Sequence, residues 1–217
     1  DHRDLHSFPT RRSSDLFIPT FFHIFRYSKI TQKKIGMYKI AKQFDFCYGH
    51  RVWSQTLNPE FSMDSCLKCR HLHGHQGTIW VGLEASVLHQ GMVTDFKHLN
   101  WFKKWLDDVL DHKFIMDIED PLLPTLVPFP EGEQELPVLW FPQGYGLVDL
   151  SQYQEVGPEV VEMLEGMVFV KFVPTSENLS RWLFDLVQER MKPLGVKVSQ
   201  VQFFETPKSQ SNYYGEI

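Results

Sequence analysis

Seven consecutive residues, Cys69-Arg70-His71-Leu72-His73-Gly74-His75, carry three imidazoles and a thiol. They run into the segment His75–Val87 (HQGTIWVGLEASV), where Ile79, Val81, Leu83 and Ala85 recur at every second position. That period predicts a strand. Side chains two apart in a strand share a face, so His73 and His75 can both reach one ion. A third imidazole must come from another element, and His50, at the end of the preceding strand, is the natural candidate. Three histidines with a fourth position left open make the tetrahedral site of a catalytic zinc ion, which polarises a bound hydroxyl or carbonyl. By parity Cys69 and His71 lie on that face too, so spacing does not choose among the four donors. A closed structural site built from Cys66-x-x-Cys69 and two of the histidines also satisfies the spacing. A solvated cluster holding no metal is the third reading.

Composition narrows the class. The 217 residues are 42% hydrophobic and 23% charged, which fits a globular chain and excludes a disordered or fibrous one. Lys and Arg number 22 against 27 Asp and Glu, a net charge of -5, which argues against a general nucleic-acid surface. The three cysteines (Cys47, Cys66, Cys69) cannot all pair, which disfavours a secreted disulfide framework and favours a reducing, cytoplasmic setting. Cys47 reads as a small buried apolar residue. No segment approaches the roughly 20 apolar residues of a membrane span.

Residues 1–36 are expected to lie outside the fold. DHRDLHSFPTRRSSDL (1–16) resembles the conceptual translation of a sequencing adapter, and the following stretch reads as upstream read-through before Met37. Residues 37–217 are then one domain. Tyr38–Phe46 alternates apolar and polar residues as a half-buried strand. Thr94 or Asp95 can cap a helix in which Phe96, Leu99, Phe102, Leu106 and Val109 form an apolar stripe. Seven prolines between Pro121 and Pro158 interrupt the pattern, so 118–172 reads as an insertion decorating the domain, with small strands at Val138–Phe141 and Met167–Val173. Pro174-Thr175-Ser176-Glu177 opens a second helix, and Leu179, Trp182, Leu183, Leu186 and Val187 supply its buried face. Val196–Thr206 and the region around Ser211–Glu216 are strands. The order implies an α+β fold with a mostly antiparallel sheet.

Two further features carry acid–base potential. Asp111-His112 closes the first helix, where the macrodipole alone suffices to favour a cationic histidine, and where a carboxylate-oriented proton carrier is the functional reading. Glu205 is an acid in an otherwise apolar strand.

Together these pieces resemble the 6-pyruvoyl-tetrahydropterin synthase superfamily. Phe44-Asp45-Phe46-Cys47-Tyr48-Gly49-His50-Arg51 resembles its F-x-F-x-x-x-H-R opening, and Cys69-x3-His73-Gly74-His75 its C-x3-H-G-H centre. Gly91–Phe96, Leu110-Asp111-His112, Pro174–Asn178 and Glu205-Thr206 resemble its G-x-x-x-D-F, L-D-H, P-T-S-E-N and E-T elements, in the family's order. The short gap between Cys69 and His73 is similar to the 6-carboxytetrahydropterin synthase branch. The resemblance implies the tunnelling fold, an antiparallel sheet with two helices on one face, assembling into homo-oligomers, usually hexamers, with sites between subunits. It implies zinc on His50, His73 and His75, Cys69 as general base, Asp111 and His112 as a second acid–base pair, and Glu205 as the pterin anchor. It further implies conversion of 7,8-dihydroneopterin triphosphate to 6-carboxytetrahydropterin with release of acetaldehyde and triphosphate, toward queuosine. Alternatives are the pyruvoyl-forming synthase and, from another class, a non-catalytic zinc-stabilised interaction domain. Tyr48-Gly49 before His50 and the insertion depart from the family pattern.

Overall fold

Alternation decides the layout. In the strand Tyr38–His50 the side chains of Phe44, Phe46, Tyr48 and His50 are buried, while Gln43 before them and Asp45 between the first two are exposed. The strand therefore has one apolar face that a second layer must cover. The computed structural model describes residues 36–153 and 156–215, so the expectation placed on residues 1–35 lies outside the described residues.

Among the described residues eight strands form one sheet: β1 (Tyr38–His50), β2 (His73–Ala85), β3 (Lys113–Asp117), β4 (Val138–Trp140), β5 (Gly146–Val148), β6 (Met167–Val170), β7 (Lys197–Thr206) and β8 (Ser209–Tyr213). Their order across the sheet is β4-β5-β6-β3-β1-β2-β7-β8. The helices are α1 (Asn100–Val109), α2 (Leu123–Leu126), α3 (Pro158–Glu165) and α4 (Ser176–Met191). β1 and β2 pair antiparallel along their whole length, and β7 pairs antiparallel with β2 and β8. Two junctions are parallel, β1 with β3 and β3 with β6. The sheet is thus antiparallel-dominated, as expected, but mixed.

Both long helices lie on one face. Phe102 and Leu106 of α1 and Leu179, Leu183 and Val187 of α4 share one core with Phe44, Phe46, Ile79, Val81, Leu83, Val201 and Phe203. Phe44 meets Phe102 edge-on, with ring centroids 5.1 Å apart, a favoured aromatic geometry. The caps are as the sequence suggests: the Asp95 carboxylate accepts from the Lys97 amide, and the Thr175 hydroxyl from the Asn178 amide. The first turn after Asp95 is a 3-10 turn (Phe96–Leu99), and it leaves Phe96 exposed rather than in the stripe.

The segment 118–172 does more than decorate. Its β4, β5 and β6 continue the sheet past β3, and its own core joins Leu123, Val127, Leu164 and Phe169 to Met116 of β3. Its first turn is pinned to the end of β1 by a buried ion pair, Arg51 Nη1 to Asp120 Oδ1 at 3.1 Å. Trp53 Nε1 donates to Asp117 Oδ2 nearby, at 2.9 Å. No helix among the described residues is long and apolar enough to cross a membrane.

Breaking a buried pair strands a charge, at a cost of about 3–5 kcal/mol. Asp120→Ala should therefore lower unfolding stability by that order in denaturant titrations. Replacing Arg51 and Asp120 together by Met and Leu should recover most of the loss.

Candidate metal centre and active site

The β1–β2 register sets His50 directly opposite His73, and Tyr48 opposite His75. Opposed side chains in a ladder have Cβ atoms about 4.5–5.5 Å apart, so the pairing alone brings three imidazoles to one end of the sheet. They share the face covered by the helices. The ring centroids stand 4.5 Å (His50–His73), 5.1 Å (His50–His75) and 5.0 Å (His73–His75) apart. One donor nitrogen from each falls within 4.8 Å of the others. Gly74 makes the approach feasible, because a Cβ there would sit 2.9 Å from the Tyr48 carbonyl oxygen of β1.

Hydrogen bonding fixes which nitrogen points inward. His50 Nδ1 lies 2.6 Å from the Pro174 carbonyl, and His73 Nδ1 lies 2.8 Å from the His71 carbonyl. A carbonyl only accepts, so each ring carries its proton on Nδ1 and offers the Nε2 lone pair. The loop that leads into α4 thus orients the His50 imidazole on β1. The buried His50 Nε2 and His75 Nε2 have no partner, and buried orphans of this kind call for an ion or ligand. Burial pushes His50 down to about 4, with His73 and His75 adding to the fall and the Pro174 carbonyl opposing it. Burial, then His73, lowers His75 as well. Neutral imidazoles near pH 7 are the form that binds a cation. The donor set, its tautomers and its orphaned nitrogens fit a divalent metal.

Glu205, on β7, brings its Oε1 to 3.8 Å from His50 Nε2. Burial and the nearby Glu177 carboxylate raise its pKa, while His73 pulls it down. Tyr48 completes this wall, its ring 5.1 Å from His50 and 5.7 Å from His75. Its hydroxyl is buried without a partner. Burial and the Glu205 charge keep the phenol protonated far above its usual range.

The other expected residues are distributed differently. Cys69 sits in a 3-10 turn (Lys68–Arg70) before β2, with its amide on Gln55 Oε1 and its carbonyl accepting from the Val52 amide. Its thiol is not among the donors gathered with the three histidines. Asp111 and His112 follow α1, and within the chain they meet Cys47 rather than Cys69: one donor from each of Cys47, Asp111 and His112 lies within 4.8 Å of the others. Sequence parity gave no sign of this, because it depends on the parallel pairing that sets Tyr48 opposite Lys113. A shallow, open depression of about 670 Å³ is lined by Cys47, His73, His75 and His112. Cys47 is half-exposed rather than core.

The family model for 6-pyruvoyl tetrahydropterin synthase matches residues 39–216. The chain belongs to that family. Its sheet-and-helix architecture is accordingly the tunnelling fold, and it is an enzyme of the pterin-synthase type. A 6-carboxy-5,6,7,8-tetrahydropterin synthase of Aquifex aeolicus is 31% identical over 189 residues, covering 82% of this chain and 99% of that protein. A shorter relative of the same description from Rickettsia typhi is 33% identical over 86 residues, 39% of this chain and 55% of its own. The crystal structure of an uncharacterized protein from Wolinella succinogenes is 56% identical, superposes with a TM-score of 0.79, and covers 83% of this chain and 99% of its own.

The depressed His50 pKa has a consequence for stability. Between about 4 and the ordinary 6.5 the unfolded chain binds a proton that the folded chain does not, so stability is lost as pH falls through that window. The shift corresponds to roughly 3 kcal/mol. Denaturation midpoints of the metal-stripped protein should decline from pH 6.5 toward 4, and His50→Gln should flatten that decline.

Proposed function

We propose that this chain is a zinc-dependent 6-carboxytetrahydropterin synthase. Its substrate would be 7,8-dihydroneopterin triphosphate and its products 6-carboxytetrahydropterin, acetaldehyde and triphosphate, in the route to queuosine and other 7-deazaguanines. The observation that carries the reading is three Nε2-presenting histidines converging beside a half-buried carboxylate, Glu205, 3.8 Å from His50. The near end-to-end match to the Aquifex enzyme of that name supports the carboxy-forming branch.

His50, His73 and His75 hold the ion in this reading. When bound, zinc supplies a Lewis acid that brings the pKa of a coordinated hydroxyl toward neutral. Glu205 accepts hydrogen bonds from the amino and ring N–H groups of the pterin, a charge-assisted contact that gives a carboxylate reason to occupy this strand. Cys69 takes a proton from the substrate side chain as general base. Asp111 orients His112, which carries protons on the opposite side of the substrate. By the family resemblance the pocket is shared between copies of a homo-oligomer, a hexamer, in which a second copy brings its Asp111–His112 pair to this site. A cytoplasmic setting suits the free thiols.

The test is to give the purified chain, carrying one equivalent of zinc, dihydroneopterin triphosphate and identify the product by mass spectrometry. The 6-carboxy product with acetaldehyde is expected. A pyruvoyl product would move the chain to the other branch, and no turnover from the folded, zinc-loaded oligomer would defeat the reading. Cys69→Ala should lower kcat by roughly 10²–10⁴-fold with zinc content unchanged. Joint loss of zinc and folding would instead point to a structural Cys66–Cys69 site.

A further inference from the structure

The alternation of β1 puts His50 and Tyr48 on the helix-covered face and Cys47 on the other. The Cys47 side chain is half-exposed there, so apolar packing does not account for it. The turn after α1 is fastened to it twice. The Cys47 amide donates to Asp111 Oδ1 at 2.7 Å, and the His112 amide donates to the Cys47 carbonyl at 2.7 Å. The first bond holds the Asp111 carboxylate, and the second the His112 backbone, against the backbone of Cys47. His112 adopts a left-handed conformation, with φ of 59°. That conformation is uncommon for a residue with a side chain and clusters at functional sites. Asp111 Oδ1 is taken by the Cys47 amide, which leaves Oδ2, 3.9 Å from His112 Nε2. Lys113, the nearest cation in sequence, turns its ammonium away to the Glu165 carbonyl at 2.8 Å.

We propose that Cys47, Asp111 and His112 form a second metal site, distinct from the three-histidine centre, for a thiophilic divalent cation such as zinc or cobalt. One sulfur, one oxygen and one nitrogen donor lie within 4.8 Å of one another. Three protein donors leave a tetrahedral ion one open position. A thiolate with an imidazole selects zinc or cobalt over magnesium or calcium, which prefer oxygen. The two backbone clamps mean that little further ordering is needed when the ion arrives, which is where affinity is usually lost. Binding releases the thiol proton to solvent, and no electron transfer is involved. His112 is the proton carrier of the reading above, so an ion held here takes it out of that role. That consequence rests on the proposed function; the site itself does not.

Cobalt titration of the metal-stripped full chain separates the two sites. An all-imidazole centre gives cobalt visible d–d bands only, whereas a thiolate ligand adds a sulfur-to-cobalt charge-transfer band in the near ultraviolet. We expect two equivalents to bind, one of them with that band. Cys47→Ser should abolish the band and one equivalent. The Cys66→Ser/Cys69→Ser double variant should keep both, and His50→Gln should lose the other equivalent while keeping the band. Circular dichroism checks that each variant is folded. A single equivalent in the parent protein, or a band that survives Cys47→Ser and vanishes in the Cys66/Cys69 variant, would overturn the site. The spectrum is read on resting protein, so it stands apart from whether the pterin reaction is found.

Discussion

The antiparallel register that places His50 opposite His73 is the constraint on which the site depends. Register in a ladder is quantised: a slip of one residue turns every side chain to the other face. Here such a slip would expose Phe44 and Phe46 and scatter the imidazoles at the same time. Core and site are therefore specified by one pairing, and the cost of unmaking the core protects the geometry of the ligands. Gly74, whose missing Cβ lets β2 lie close to the Tyr48 carbonyl, keeps that pairing intact at the point where the rings converge.

The helix layer contributes direction rather than position. Pro174 ends the segment before α4, and its carbonyl fixes the His50 tautomer. Thr175 then caps the helix. The next residue, Arg51, is held by Asp120 of the segment 118–172. His50 and Arg51 are thus anchored in turn by the segments that follow β6 and β3, on the same side of β1 in the sheet. Supporting bonds of this kind orient metal ligands and raise their basicity.

Much of this was legible in the residues. β1 and β2 show clean alternation because one face of each is packed and the other is not. The long helices announce themselves through Asp95 and Thr175, whereas spacing alone left Cys69, His71, His73 and His75 equivalent, and only the family resemblance pointed to His50, His73 and His75. β3 was not seen, since KFIMD carries no alternation, its last three residues being buried consecutively, as in strands with parallel neighbours. For the same reason the extension of the sheet by β4–β6 was read as decoration. The company kept by Cys47 depends on the β1–β3 junction, a contact between residues 64 apart, and no local pattern encodes it.

In the proposed centre three imidazoles, with no sulfur, hold the metal at the end of β1 and β2. X-ray absorption at the zinc edge, on Cys47→Ser protein carrying one equivalent of zinc, reads the donor atoms themselves. Only nitrogen and oxygen scatterers at about 2.0–2.1 Å are expected. A sulfur scatterer at about 2.3 Å would place Cys66 or Cys69 on the ion and contradict the proposed centre.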